Sequence, residues 1–269
     1  MEIKGSVKSH IQLPRCVLKG FSFNKGFINK IGKPEKHNYV YCLNKLNNTI
    51  EEIDIDDANT EFGYYEDNIE TVFSQFESEL AETIDHIRKN IKQLEKGVYR
   101  YNEKDVMAIK NYCSLCWIRS PNLVADVQKK TDSFKLLANQ PQNVVAYTYL
   151  KDSDIVDVYF NNLNFTVILN STSINYLLPQ CGIIGLGNSS LDKCSVYIPI
   201  SPKILVLLTT ESTMNNHMLE IRQMPEQIVD KFNKKCISFE LNSNVGNIYA
   251  KNENDIIRYE DYIKSIKKL

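Results

Sequence analysis

The sequence predicts an α+β fold: a central helical block over about 66–140, packed on a largely antiparallel β-rich half, with N-terminal strands joining that sheet. Three observations lead there. The apolar period is three to four residues from Glu66 to Leu94. The segments before Ile55 and after Pro141 are instead short, rich in Val, Ile, Tyr and Phe, and divided by Asn, Asp, Ser and Gly turns. Strands, then helices, then clustered strands is a segregated order, where a βαβ series would alternate them. No internal repeat or low-complexity linker interrupts the 269 residues. One two-lobed domain is therefore expected: N-terminal strands over 1–60, the helical block over 61–141, and a β-rich lobe with C-terminal helices over 142–269.

Taken in order, Cys16–Phe23 reads as a short strand, and Asn38–Ile55 as a hairpin turning at Asn47-Asn48. The long amphipathic helix places Ile69, Val72, Phe73, Phe76, Leu80, Ile84, Ile87, Ile91 and Leu94 along one stripe. Its acids come early and Arg88, Lys89 and Lys92 late, which suits the helix dipole, and Gly97 is the expected stop. A second helix starts at Asn102 as N-cap, with Asp105 three residues on, and runs through Val106, Ile109, Cys113 and Trp117. A third begins with Ser120 as cap and Pro121 at the first helical position, and ends before Pro141. Beyond it, Asn143–Leu150, Asp154–Phe160, Asn164–Asn170, Cys194–Ile200 and Lys203–Thr210 read as strands. A helix over Pro225–Lys235, a strand over Cys236–Leu241 and helical pieces complete the chain.

Composition narrows the class. The 43% hydrophobic and 24% charged fractions are those of a globular protein, and no apolar run reaches the roughly 18–20 residues of a membrane span. The start of the chain has no apolar segment resembling a signal peptide. Seven cysteines, an odd number without a framework, argue against a disulfide scaffold, so a cytoplasmic protein with free thiols is expected. Abundant Asn, Lys and Ile point to an AT-rich bacterial genome. The net charge of −1 hides an asymmetry: residues 1–48 carry nine Lys/Arg against two acids, whereas 51–85 carry thirteen acids and no Lys or Arg. Either the basic end faces a polyanion such as RNA, or the two segments neutralise each other across the fold. The near-zero total favours the second.

Few motifs carry chemistry. Gly185-x-Gly187 lacks the third glycine and a following helix, so it reads as a loop rather than a nucleotide site. Cys113 and Cys116 have C-x-x-C spacing but lie inside a helix, on its apolar face beside Trp117, where buried thiols are expected. No metal and no cofactor is expected, because no cluster of ligating residues is visible. His37, His86 and His217 are isolated, His86 reading as solvated or capping. His10 differs, because Arg15 shares its apolar segment. Five residues apart on a strand they face opposite ways, so they meet only if Pro14 bends the chain. Burying both without a partner is costly. Glu77, at the edge of the long helix's apolar stripe, is an available counter-charge whose pairing would lower its own pKa and raise that of His10. The same pairing reads equally as a clasp tying the first strand to the long helix.

"SHIQLPRCVLKGF", "EFGYYEDNIETVFSQFESELAETI", "CWIRSP", "FTVILNSTSINYLLP" and "VYIPISPKI" occur in an order that resembles the bacterial family known as domain of unknown function 4238. The likeness covers nearly the whole chain. It implies that His10, Pro14, Arg15, Glu77, Arg119, Pro121, Ser201 and Pro202 occupy motif positions. Where many relatives carry a Ser-Asp-Asn-Pro-like turn, this chain has Asn170-Ser171-Thr172-Ser173, without a carboxylate. The resemblance implies an architecture and candidate residues rather than an activity.

Two functions follow as expectations. One is a metal-independent, nuclease-like effector of the toxin or phage-defence kind, with His10 as acid/base, Arg15 holding a phosphate and Glu77 as partner base. Its cleft has the Asn170–Ser171 turn at the edge and Arg119 and Ser201 as further binding candidates. The other is a non-catalytic sensor or scaffold for a protein partner, favoured by the missing carboxylate and the mild net charge.

Overall fold

A computed structural model describes residues 8–28, 31–93, 102–131, 141–151, 160, 163–185, 195–210, 225–242 and 246–266. Among them the chain forms α+β architecture with eleven strands in three antiparallel sheets. The N-terminal part contributes β1 (Lys8–His10), α1 (Arg15–Gly20), β2 (Phe23–Ile28), β3 (Pro34–Leu43), β4 (Ile50–Asp54) and β5 (Thr60–Phe62). The helical block is α2 (Asp67–Gln93), α3 (Glu103–Ile118), α4 (Pro121–Thr131) and α5 (Pro141–Lys151). The remainder holds β6 (Asn164–Leu169), β7 (Leu178–Pro179), β8 (Ile184–Gly185), β9 (Ser195–Ser201), β10 (Ile204–Thr209), α6 (Glu226–Asn242), β11 (Ile248–Ala250), α7 (Glu253–Ile257) and α8 (Glu260–Ile266).

The sheets divide the work. A five-stranded sheet runs β2-β3-β11-β7 with β4 also on β3, so N-terminal strands do share a sheet with strands from the far end of the chain. Tyr249 in β11 stands opposite Cys42 on one side and Leu178 on the other. A second sheet, β6-β10-β9-β8, supplies Val167, Ile198, Val206 and Leu208 to the largest core, which also takes Leu13, Val17, Leu18, Leu80, Ile84 and Ile109. The third is the β1–β5 pair, with Ser9 opposite Glu61 and His10 opposite Thr60. A separate apolar cluster of Tyr65, Ile69, Phe73, Leu115, Ile118, Val145 and Ala146 sits where α2, α3 and α5 meet.

The long helix follows its period. Ile69, Phe73, Leu80, Ile84 and Ile87 are buried, while Val72 and Phe76 fall on the stripe's edges. Asn102 caps α3, its side chain accepting from the Asp105 backbone N–H at 2.7 Å. No helix among the described residues is long and apolar enough to cross a membrane. The six described cysteines are free thiols.

Three predicted strands are helical. Within Cys16–Phe23 the chain forms α1 and only Phe23 opens a strand. Pro14, extended at ψ 145°, redirects the chain, and the helix buries Val17 and Leu18. Gly20 then passes so close to β9 that a Cβ there would lie 2.2 Å from the Ile200 carbonyl oxygen, so glycine alone fits. Asn143–Leu150 lies inside α5, where Val145 and Ala146 pack on the α2–α3 cluster; burial on one face overrides the β-preference of Val, Tyr and Thr. Cys236–Leu241 continues α6, since Val229, Phe232, Asn233, Cys236, Ile237 and Glu240 keep one buried face in helical period. Conversely, β11 is three residues long, too short for any periodicity to announce it. Gly97, Cys194, His217 and all of Asp154–Phe160 except Phe160 lie outside the described residues.

Candidate functional site

The predicted site residues sit on separate elements that converge. His10 is the last residue of β1, Arg15 the first of α1, Glu77 lies midway along α2, and Arg119 caps the C-terminus of α3 at the corner into α4. The counter-charges are not those the sequence suggested. Arg15 is held by Asp56 side-on through one guanidinium edge, Nε to Oδ1 and Nη2 to Oδ2 at 3.2 Å, with both side chains about half exposed. Glu77 instead meets Arg119, Oε1 to Nη1 at 2.8 Å, with side-chain exposures of 22% and 1%.

Arg119 is the centre of this arrangement. It reaches inward from a helix end whose backbone N–H is bonded to Leu115 O, and Ser120 and Pro121 then turn the chain. Its guanidinium carbon lies 4.4 Å from the Phe73 ring centroid and 5.8 Å from that of Tyr65, so aromatic faces replace part of its hydration. Tyr65 stands edge-on to both Tyr64 and Phe73 and donates through its hydroxyl to Ile11 O at 3.4 Å. The contact with Glu77 is close but lies off the N–H direction: neither Nη1 nor Nε of Arg119 is aligned on a protein acceptor. Near it the buried His10 Nδ1 has no aligned partner, and the Ser9 hydroxyl lies against the Glu70 carboxylate.

These groups act on one another electrostatically. Burial holds the His10 pKa below its ordinary value of 6.5; the Glu77 charge opposes this and the Arg119 charge reinforces it. The sequence expectation had the opposite sign, because it counted the Glu77 charge and not the loss of water. His10 is thus a neutral imidazole at pH 7. Burial also raises the Glu70 pKa, with Ser9 and Arg119 opposing and Glu77 reinforcing the shift.

Glu77 connects the buried cluster to a surface cleft of about 370 Å³ between α1 and α2. Arg15, Cys16 and Lys19 line one wall; Ser74, Glu77, Ser78 and Arg88 line the other. Cys16 is no nucleophile: burial pushes its thiol up to about 12, and its Sγ points at the Glu77 carbonyl oxygen at 3.8 Å. His10 does not line this cleft.

The remaining candidates have structural partners. Asn170 is buried and serves its own loop, donating to Ile174 O at 2.7 Å and accepting from Thr172 N–H at 2.9 Å. Ser171 is exposed beside it. Ser201, at the β9–β10 turn, accepts from Lys203 N–H at 3.3 Å. No hydrogen bond or ion pair among the described residues joins Asn170 or Ser201 to His10, Arg15 or Glu77. His86 is partly solvated, its side chain 38% exposed, and Asp105 of α3 also holds its Nδ1 at 2.8 Å. Lys8–Asp57, Arg15–Asp56, Lys25–Glu52 and His37–Asp54 join the basic N-terminal segment to the acidic one that follows. Among the described residues no group of three or more His, Cys, Asp or Glu could hold a metal ion.

Sequence reasoning missed Ser9, Tyr65, Glu70 and Asp56. Glu70 carried a usable signal: it precedes Glu77 by seven residues, two helical turns, and so shares its edge of the stripe. Tyr65 was marked only as half of the Tyr-Tyr pair in a family-like segment, and Ser9 carried no signal of its own, because its burial depends on β1 pairing with β5.

Searches among curated proteins and among solved structures find no match. A family model does match, over residues 12–254, and its span takes in Arg15, Glu77, Arg119, Asn170 and Ser201. The chain belongs to the family described as protein of unknown function (DUF4238).

Proposed function

We propose that the protein is a metal-independent effector that cleaves phosphodiesters, nuclease-like in its chemistry, with the cluster around Arg119 as its reactive centre. The observation that carries this reading is the Arg119 guanidinium, almost fully buried with Nε and Nη1 aligned on no protein acceptor. A charge held out of water with unused donors is suited to stabilising negative charge that develops during a reaction. His10, neutral at pH 7 with Nδ1 unpartnered, is the proton acceptor. Glu77 holds Arg119 in place.

The test compares wild type with His10→Gln on single-stranded RNA and on single- and double-stranded DNA, alongside growth of cells expressing each. Wild type is expected to cleave one class, and His10→Gln to lose about 10²–10⁴-fold with a melting temperature within about 2 °C. Equal activity in the two proteins, or no cleavage by wild type of any of them, overturns the reading.

A second reading, a non-catalytic sensor or scaffold for a protein partner, is favoured by one observation. The ion pairs between the basic and acidic segments occupy three of the nine Lys/Arg of residues 1–48, and His37 besides, charge that a nucleic-acid surface would need. It predicts a stable complex recovered equally by wild type and His10→Gln.

A further inference from the structure

We infer that the cleft between α1 and α2 is a phosphate-binding subsite, taking the terminal phosphate of a short single strand. Charge left over on the cleft walls is what favours an anion there. Of the charges lining the cleft, Arg15 is neutralised by Asp56, Glu77 is matched by Arg119 behind it, and the second lining carboxylate, Asp85, stands nearest Arg88. Lys19 is exposed and its ammonium meets no carboxylate among the described residues. Arg88 is half-buried: it donates through Nη2 to the Ile200 carbonyl at 3.1 Å, and Nη1 stays 3.7 Å from an Asp85 that is 67% exposed. Its guanidinium is anchored by a neutral oxygen and only loosely matched in charge. Ser74 adds a hydroxyl on the same wall, while the Ser78 hydroxyl beside it donates to the Ser74 carbonyl at 2.8 Å.

Two cations from opposite walls, flanked by the Ser74 hydroxyl, suit a phosphate, whose oxygens accept from several donors at once. Volume sets the size of ligand. About 370 Å³ lies near the lower end for small-molecule sites, enough for a phosphate with a nucleoside and too little for a duplex. Binding there stands on the cleft's own geometry. Only the placement of the reacting bond beside His10 rests on the proposed function, and Glu77, which faces both places, sets that direction.

Calorimetric titration tests it, using the His10→Gln protein so that nothing turns over. The ligands are pUpU, UpU and ribose 5-phosphate; the variants are Lys19→Glu and Ser78→Asp, both exposed positions whose folding is checked by melting. The inference expects pUpU to bind at least about tenfold more tightly than UpU, and each variant to weaken pUpU by about tenfold or more. Ribose 5-phosphate binding as well as pUpU would retain the phosphate site and transfer it to small phosphorylated molecules. Failure of both phosphorylated ligands to bind, or unchanged affinity in both folded variants, overturns it. Phosphate binding with no cleavage by wild type would sink the proposed function alone. Cleavage abolished by His10→Gln with no phosphate affinity would sink this inference alone.

Discussion

Two arginines meet carboxylates in this protein, and the two pairs have opposite characters. Arg15 and Asp56 form a bidentate pair with both side chains about half in water. Arg119 and Glu77 make a single off-axis contact, with the arginine at 1% exposure. By geometry alone the first pair is better made. Yet the surface pair gains little over hydration and is screened by salt. The buried guanidinium has lost its water and cannot shed its proton, so everything near it must answer to its charge. Good geometry in water therefore marks a strut, whereas imperfect geometry out of water marks the place where charge is held ready.

The largest effect should come from Glu77→Gln. It leaves Arg119 buried without its main counter-charge, at a cost of about 3 kcal/mol or more, or roughly 6–10 °C in melting temperature. Arg119→Met should cost less, because the orphaned Glu77 stands at the rim, where it can reach water. Thermal unfolding of the two variants side by side checks the order; a larger loss in Arg119→Met would break the contrast between the pairs.

A smaller effect concerns pH. The folded protein keeps His10 neutral below 6.5, where the unfolded chain binds a proton. Stability from this source is full above 6.5 and declines as pH falls through the lowered pKa. His37 works the other way. Its hydrogen bond with Asp54 raises its pKa, so its contribution is full below 6.5 and is lost as pH rises through the raised value. Urea midpoints at pH 7.5 and 5.5 should fall less on acidification in His10→Gln than in wild type, and more in His37→Gln. Parallel lines for all three proteins would show that burial does not govern His10.

The smallest effect belongs to Asp56→Asn. Removing the partner of Arg15 should cost about 0–1 kcal/mol and vanish in high salt, whereas the Glu77→Gln loss should persist. Melting curves at about 0.05 and 0.5 M sodium chloride separate them. A salt-insensitive loss of several degrees in Asp56→Asn would make both pairs structural and erase the distinction.

How much of this was legible in the sequence varies with the range of the interactions. The three-four period from Ile69 to Ile87 and the Asn102 cap placed α2 and the start of α3, because both signals are local. The opposed charge of the first two segments was visible, including the reading in which they neutralise each other. Glu77 stood out as a carboxylate on the margin of an apolar stripe, and Arg119 entered only through the family resemblance. Little that is local says that α1 and α5 are helical, since Val, Tyr and Thr there favour strands until one face is buried against α2 and α3. Nor could spacing pair Glu77 with Arg119, forty-two residues away, rather than with His10 or Arg15. That choice depends on which groups lose water together, and desolvation is a property of the packed interior, not of chain order. For the same reason the sequence alone gave His10 the wrong direction of shift: the charge beside it can be read from residue types, but the water excluded from around it is decided only when β1, α2 and the α3–α4 corner close on one another.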